Sequence, residues 1–456
     1  MISFTVGLSE VEGRFRLDPD YYQPKYRNVT APLQNICSSR ILDECIVTLG
    51  PAYSSKSFGG NGNIRIAKIG DITNKRLPDA WENISAREFN KFGSVKLDKD
   101  DILLTMTGDP PDVGKVFIPY NSFEEDNLLA FNQRVARIKA KKIDQHYLYA
   151  YLSTEKFRLR IEQVALGIRQ RNISVPDMRS TYVFVPKDTR HIDEITRLIK
   201  RHLKSRQESQ NHLLDANSML EFELRLDNFT FEMPIGYSAN FSELETSLRS
   251  DAQHYQPRFK KLINHLSCYQ TSSVRDIRAY NRRGLQPIYV DNGEVDVINS
   301  QHLGPKHIDY SGLQKTSSAS FSAALVAHIR RDDLLIYTTG AYVGRTNIYL
   351  SDAPAMASNH VNILRLRPGI DAAYMALVFQ SIIGQFQTQK HARGSAQAEL
   401  YPNDIDRFIV PLIDEAKQKE IGDLLRESLV KQQESKRLLE QAKTRVEQLI
   451  EEAAQS

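Results

Sequence analysis

The chain has 456 residues, of which 41% are hydrophobic and 25% are charged, and its formal net charge is +4. This length and composition predict two to four folded domains and exclude a disordered chain, while the weakly basic balance permits a local nucleic-acid-binding patch without requiring one. Cys37, Cys45 and Cys268 form no Cys-x-x-Cys pair, which argues against a disulfide scaffold or a thiolate zinc site and favours reduced thiols in a cytoplasmic protein.

The first residues, MISFTVGLSEVEGRFRL, contain no long apolar run. No later stretch approaches the length of about 18 apolar residues that a membrane-spanning helix needs. We therefore expect neither a signal peptide nor a membrane span.

The opening element of the chain recurs in its second half, because residues 8–26 resemble residues 241–259 at an offset of 233. Further matches follow in the same order, with an offset that drifts only to 225: 100–108 with 332–340, Asn132 with Asn359, 167–174 with 394–401, 183–186 with 408–411 and 206–209 with 432–435. Ordered matches of this kind predict an internal duplication. Each half would be one globular module followed by one helix.

Each module combines predicted strands and helices. ILLTM (102–106), VFIP (116–119) and FIVP (408–411) are short apolar runs bounded by Gly, Pro and Asp, which is typical of strands. Helical patterns begin near Tyr147 and, at the corresponding place, near Tyr374. Trp81 occurs in one copy only and is interpreted as local packing.

Long amphipathic helices are predicted at about 190–226 and 414–455. In the second helix, two heptad positions are held by Leu425, Leu439 and Val446 and by Ile421, Ala442 and Leu449, with Gln432, Ser428 and Ser435 as interruptions. In the first helix, the apolar residues are Ile192, Ile195, Leu198 and Ile199 and, after a polar stretch, Leu213, Ala216 and Leu220. This spacing favours a coiled coil between the helices, and the alternative is that each helix packs on its own domain.

An ordered set of short motifs runs through the chain: Asp-x-x-Tyr-Tyr-x-Pro-x-Tyr (18–26), Gly-Asp-Ile (70–72), Asp-Asp-Ile-Leu (100–103), Thr-x-x-Gly (105–108), Asn-Gln (132–133) and Gly-x-x-Gln (167–170). Together with the duplication, this set resembles the specificity subunits of type I restriction–modification systems over essentially the whole chain. The tryptophan-containing opening common in that family is absent here, and Tyr-Gln-Pro stands near its place.

The resemblance implies an α+β fold with two repeated mixed α/β target recognition domains, separated by two long helices that form an antiparallel coiled coil. The implied boundaries are 1–189 for the first recognition domain, 190–232 for the first spacer helix, 233–413 for the second recognition domain and 414–456 for the second spacer helix. Each domain would read one half of a bipartite site in double-stranded DNA. The helices would set the spacer and dock two methyltransferase subunits, with restriction subunits as further partners.

In the DNA grooves, Arg side chains recognise the edge of guanine, and Asn or Gln side chains recognise the edge of adenine. Lys and Arg side chains bind phosphates and so fix the register of the protein on the DNA. The candidates lie in the Gly-x-x-Gln loops, in the glycine loops after the ILLTM-like strands and in a small basic cluster that also contains Arg278. They are Lys115, Arg169, Gln170, Arg171, Asn172, Arg282, Arg283, Tyr342, Arg345, Arg393 and Gln397. The structural alternative for these loops is a set of solvated or hairpin turns.

Signals for catalysis within the chain are weak. Asp109-Pro110-Pro111-Asp112 lacks the aromatic fourth residue that stacks on a flipped adenine, and no cofactor-binding glycine turn precedes it. Gly59-Gly60-Asn61-Gly62 lacks the ending of a P-loop, and the histidines have no metal-binding spacing. The sequence therefore predicts a non-catalytic chain without a cofactor or metal of its own, and the resemblance implies S-adenosylmethionine, ATP and Mg on partner subunits. The alternatives are a coiled-coil defence adaptor without sequence readout and a recognition protein with an unrecognised nuclease activity.

Overall fold

A computed structural model describes residues 5, 17–36, 39–59, 64–92, 96–109, 112–119, 128–165, 167, 170–394 and 397–455. The chain divides into two compact units, and each unit contains part of both long helices. The first unit comprises Met1–Gln207 with Gln432–Ser456, and the second comprises Glu208–Lys431. The division therefore falls within the long helices, whereas the boundaries predicted from the sequence lie at the helix ends.

The helices alternate with short strands along the chain. Their bounds are Pro24–Ile36, Ile41–Glu44, Ile69–Thr73, Ala86–Asn90, Gln145–Leu152, Glu155–Val164, Val175–Ser180, Thr189–Glu223, Phe241–Ser247, Pro257–Leu266, Val274–Ile277, Ser318–Ala323, Ala372–Gln380, Ile382–His391, Pro402–Ile405 and Glu415–Gln455. We call Thr189–Glu223 the first long helix and Glu415–Gln455 the second long helix. Both agree closely with the predicted helices.

The strands of the first unit are β1 (Ser39–Arg40), β2 (Cys45–Leu49), β3 (Ile64–Ala67), β4 (Glu82–Ile84), β5 (Ile102–Thr105), β6 (Thr107–Gly108), β7 (Val116–Phe117), β8 (Leu128–Phe131), β9 (Val135–Ala140), β10 (Arg171–Asn172) and β11 (Tyr182–Val183). They form a four-stranded sheet in the order β2-β9-β5-β7 and a three-stranded sheet in the order β4-β3-β8. Two small pairs, β1-β11 and β10-β6, complete the strand pairing.

The strands of the second unit are β12 (Thr271–Ser273), β13 (Arg278–Arg283), β14 (Val295–Ile298), β15 (Gln314–Thr316), β16 (His328–Ile329), β17 (Leu334–Tyr337), β18 (Thr346–Ile348), β19 (Ala355–Ala357), β20 (Val361–Leu366) and β21 (Ile409–Pro411). The sheet β13-β20-β17-β18 repeats the order of the large sheet in the first unit, and β12-β21 repeats β1-β11. The β14-β19 pair is parallel, as is β3-β8. The repeated topology confirms the two mixed α/β modules.

The register of the repeat corrects two predicted matches. The Tyr147 hydroxyl donates to the carbonyl of Phe184 and the Tyr374 hydroxyl to the carbonyl of Pro411, so 183–186 corresponds to 410–413 rather than to 408–411. Val135 donates its backbone N–H to the carbonyl of Asn132, and Val361 donates in the same way to Ser358. Asn132 therefore corresponds to Ser358 rather than to Asn359, and the offset at this turn is 226 rather than 227. Both residue types start such turns, so the sequence alone does not select between neighbouring polar residues.

The long helices pair in antiparallel fashion within each unit. In the first unit, Arg201 lies 3.6 Å from Glu434, and Glu194 lies 3.6 Å from Arg445. In the second unit, Glu208 lies 2.7 Å from Lys431, and His212 lies 2.8 Å from Glu427. Because partner numbers rise on one helix as they fall on the other, the predicted antiparallel pairing is confirmed.

The predicted apolar stripes are buried, and they join the cores of the modules as well as the helix pair. Ile195, Ile199, Ala442 and Val446 lie in one core with residues of the first sheet such as Ile102. The residues Ala216, Leu220, Ile421 and Leu425 lie in the core of the second unit. Pairing between the helices and packing on the domains therefore occur together.

In both long helices, the residues that separate these apolar segments in the sequence include buried polar ones, His202, Ser205 and Ser435 in the first unit and Ser209 and Ser428 in the second, which we call the polar layer. His202 Nδ1 lies 2.8 Å from both the Oγ and the carbonyl oxygen of Ser435. Ser428 Oγ donates to the carbonyl of Ser209 at 2.6 Å. The serines that interrupt the heptads thus hydrogen-bond across the helix pair.

Candidate nucleic-acid interface

In the first unit, the glycine loop after β5 and the Gly-x-x-Gln loop lie side by side. Antiparallel pairing aligns Gly108 with Arg171 and Thr107 with Asn172. The backbone N–H of Ile173 donates to the carbonyl of Met106 at 2.9 Å. We call residues 106–114 and 167–173 the first loop pair.

The predicted reading residues of the first loop pair have different environments. Gln170 and Asn172 are exposed, and Thr107 Oγ1 donates to Asn172 Oδ1 at 2.8 Å. Lys115, which follows this loop pair, lies 2.8 Å from Asp112. Arg169 lies outside the described residues.

The Arg171 side chain points into the module, because its Nη1 donates to the carbonyl of Glu162 at 3.0 Å. The Glu162 side chain in turn accepts hydrogen bonds from Lys25 and Tyr26 at 3.2 and 3.0 Å. Burial opposes ionisation of Glu162, but these hydrogen bonds hold the pKa of its carboxyl below the usual range. The repeated opening motif therefore supports the helix that leads into the first loop pair, and Arg171 braces the loop from within.

A glycine makes the same turn in both Gly-x-x-Gln loops. Gly167 has φ +117°, and a Cβ there would lie 2.2 Å from the carbonyl oxygen of Gln170. Gly394 has φ +96°, and a Cβ there would lie 2.3 Å from the carbonyl oxygen of Gln397. Any side chain at either position would collide with the loop backbone, so the turn requires glycine.

The second unit brings the corresponding loops together. Thr339 forms a β-bridge with Glu399, and the N–H of Leu400 donates to the carbonyl of Thr338 at 2.9 Å. Gly340 donates its N–H to Ala398 at 2.9 Å. We call residues 338–345 and 393–400 the second loop pair.

The predicted residues of the second loop pair include two exposed side chains, Gln397 and Arg393, and Arg393 Nη2 lies 3.0 Å from Asp404 Oδ1. Tyr342 is 54% exposed, and the Arg345 guanidinium lies 3.5 Å from the centre of its ring. This stack presents a flat aromatic and cationic surface in the second loop pair. The glycine loops that follow β5 and β17 are hairpin turns between paired strands, and they also carry exposed side chains.

The basic cluster lies on β13, an edge strand of the second large sheet. Arg278 forms a two-point ion pair with Asp406 at 2.5 and 3.0 Å, so it holds the domain together. Arg283 donates to the carbonyl of Leu400 at 2.9 Å and lies 4.6 Å from the Tyr401 ring centre. Arg282 is exposed. Arg283 therefore braces the second loop pair as Arg171 braces the first.

Two residues of the second loop region were missed from the sequence, Glu399 and Tyr401. The Tyr401 hydroxyl donates to Glu399 Oε2, and this hydrogen bond raises the pKa of Tyr401. The match of 167–174 with 394–401 already aligned Glu399 with Asn172. A carboxylate gives no signal among the cations and amides that read guanine and adenine, so the sequence did not single out Glu399.

The remaining sequence signals concern metal binding, membrane spans and catalysis. The described residues contain no group of three His, Cys, Asp or Glu side chains that could hold a metal ion. In the same part of the chain, no helix is long and apolar enough to cross a membrane. Pro110, Pro111 and most of the Gly59–Gly62 stretch lie outside the described residues, and Asp112 pairs with Lys115.

Comparison with known proteins gives a family match and several structural matches. Residues 39–214 match the model of the type I restriction modification DNA specificity domain. The chain is similar to the S subunit of a type I restriction–modification system from M. genitalium, at 13% identity over 91% of this chain and 95% of that chain, with a TM-score of 0.42. It is also similar to the HsdS subunit from Thermoanaerobacter tengcongensis, at 12% identity over 92% of each chain, with a TM-score of 0.27. The search of curated proteins found no match.

Proposed function

We propose that this chain, whose residues 39–214 match the model of the type I restriction modification DNA specificity domain, reads a bipartite DNA site. Each module reads one half of the site through its loop pair. One observation carries the proposal: two loop pairs with the same backbone arrangement present different exposed side chains, with Gln170 and Asn172 in one and Tyr342, Arg393 and Gln397 in the other. Two readers of this kind suit two different half-sites.

This chain itself catalyses no reaction in the proposed complex. Two methyltransferase subunits dock on it and supply S-adenosylmethionine chemistry, and restriction subunits, where present, supply the ATP- and Mg-dependent steps. The motivation is the Asp109–Asp112 stretch, which lacks the stacking aromatic that base methylation uses. We expect the purified chain to neither methylate nor cleave DNA.

The experiment compares the purified chain with the chain assembled with its methyltransferase subunits. Methylated positions are mapped on a DNA library, with S-adenosylmethionine supplied in both cases. Methylation at one bipartite sequence by the assembly alone supports the proposal. Methyl transfer by the lone chain contradicts it, as does cutting by the lone chain with a divalent metal. If the assembly binds DNA without sequence preference, the result would instead support the alternative that the chain is a coiled-coil defence adaptor without sequence readout.

We also propose that the paired long helices set the spacer between the half-sites. Because Ser209 and Ser428 face each other, the test inserts one heptad into both helices, between Ser209 and Leu213 and at the facing position beside Ser428. Seven helical residues add roughly 10 Å, so the spacer should lengthen by about three base pairs. Paired insertions of two residues disrupt the heptad stripe and should abolish methylation. An unchanged spacer in the active heptad variant would show that another feature sets the distance.

A further inference from the structure

We propose that positions 172 and 399 are equivalent base-reading positions, at which Asn172 selects adenine in one half-site and Glu399 selects cytosine in the other. This inference rests on the proposed function and adds the identity of one base in each half-site. It follows from the backbone equivalence of the two loop pairs and from the different hydrogen-bonding chemistry of an amide and a carboxylate.

The equivalence is set by backbone pairing. Asn172 lies opposite Thr107, and Glu399 lies opposite Thr339. The next residue of each loop, Ile173 or Leu400, donates its N–H across the pair at 2.9 Å. The glycine turns at 167 and 394 precede the two positions by the same number of residues. Asn172 and Glu399 thus occupy equivalent backbone positions in the two loop pairs.

Asn172 carries an oriented amide. Its side chain is exposed, and the hydrogen bond from Thr107 Oγ1 at 2.8 Å occupies one lone pair of Oδ1. The amide Nδ2 and the second lone pair of Oδ1 remain available. A donor beside an acceptor matches N7 and the N6 amino group at the major-groove edge of adenine.

Glu399 presents acceptors only. The Tyr401 hydroxyl donates to Oε2, and within the described part of the chain Glu399 makes no ion pair. A carboxylate accepts from the N4 amino group of cytosine, whereas the O6 and N7 acceptors of guanine repel it. A negative charge in a phosphate-facing loop weakens attraction to DNA unless it gains such a contact. Glu399 pairs through its backbone with Arg393 and precedes Leu400, whose carbonyl accepts from Arg283, so a carboxylate at this position of a basic loop points to a reading role.

The test uses the full chain assembled with its methyltransferase subunits, and it maps methylated sites for Glu399→Gln. The half-site read by the second module is first identified as the one that changes in Gln397→Ala. Glutamine adds a donor at the same place, so we expect an obligatory cytosine of that half-site to give way to adenine. Preference for cytosine at that position should fall roughly 5- to 150-fold. Asn172→Asp should produce the opposite change in the other half-site.

The matched control is Asp352→Asn, which removes the same charge at the opposite end of the β17–β18 hairpin, where Asp352 is paired with Arg331 at 3.2 Å. It should leave the mapped site unchanged. A second half-site without an obligatory cytosine overturns the inference, as does a Glu399→Gln variant that methylates the same sequence or loses methylation equally at all sequences. If the unaltered assembly has no defined site, the proposed function itself has failed.

Discussion

The two loop pairs share a backbone and differ in the residues that brace it. In the first, the brace is Arg171, a residue of the loop itself, which bonds to Glu162. In the second, the corresponding residue is Ala398, and the brace is Arg283, which reaches Leu400 from an edge strand. Arg249 adds hydrogen bonds to the carbonyls of His391 and Ala392 at 2.9 and 3.0 Å. The repeat therefore preserves the loop geometry, while the arginine that stabilises the loop changes its position in the chain.

The largest difference between repeated positions that can be tested is the burial of Arg206, whose counterpart in the repeat is the partly exposed Gln432. Arg206 donates to the carbonyl of Ile118 and lies 4.7 Å from the Phe117 ring centre. Arg206→Ala should lower the free energy of unfolding of the first unit by about 3 kcal/mol, because it leaves buried acceptors unpaired. Trp81 is buried in the first unit, so its fluorescence reports that loss directly.

The control for this prediction is Gln432→Ala, for which we expect a change of less than about 1 kcal/mol because Gln432 is partly exposed. Circular dichroism follows both units together. Equal losses in the two variants would show that the buried arginine has no special role in the first unit.

The shared glycine turns offer a way to break either loop pair separately. Gly167→Ala and Gly394→Ala place a Cβ against a carbonyl oxygen at positive φ, with strain of up to about 3 kcal/mol. Each variant should lose recognition of one half-site only. Binding to oligonucleotides with one half-site altered measures this effect, with Gly70→Ala, where nothing lies within 4 Å of the added Cβ, as the control. Loss of both half-sites from a single folded variant would contradict the assignment of one loop pair to each half.

The polar layer predicts a pH dependence that differs between its repeated positions, since the counterpart of His202 is Ser428. Burial, followed by the charge of Arg206, lowers the pKa of His202 to about 3. The unfolded chain binds a proton near pH 6.5, so stability falls as pH drops from about 6.5 towards 3. Between pH 6.5 and 5 the loss from His202 is about 2 kcal/mol.

The variant that checks this dependence is His202→Ser, which recreates the serine of the other repeat. Urea unfolding followed by Trp81 fluorescence at several pH values should show a shallower slope than in the parent chain. The remaining slope includes His146, whose pKa is also lowered by burial. An unchanged slope would mean that His202 is accessible to protons in the folded state.

The smallest expected effect concerns the exposed glutamines. Gln170→Ala, alone or with Arg169→Ala, should cost at least about 1 kcal/mol of discrimination at one half-site. Gln397→Ala, alone or with Arg393→Ala, should do the same at the other. The measurement is the relative methylation of matched and singly altered sites. If both half-sites weaken equally while the protein stays folded, the loops are structural rather than readers.

The sequence predicted what depends on spacing along the chain. The heptad residues Ile421, Leu425, Ala442 and Val446 are buried as expected, because helical periodicity alone places them on one face. The duplication likewise predicted the repeated sheets. The environment of each loop side chain could not be predicted, because it depends on distant partners such as Asp406 for Arg278. Arg206 was missed for the same reason, since its partner Ile118 is remote in sequence.

The polar layer of the long helices has a consequence for their alignment. Two apolar stripes can shift by one heptad with little loss of stability. After such a shift, each leucine packs equally well against the next leucine of the partner helix. His202 and Ser435 cannot slide in this way, since a shifted pairing leaves the buried imidazole without its partner at a cost of about 1–3 kcal/mol. The polar layer therefore specifies one register of the two long helices. A single register keeps the length of the helix pair the same in every molecule.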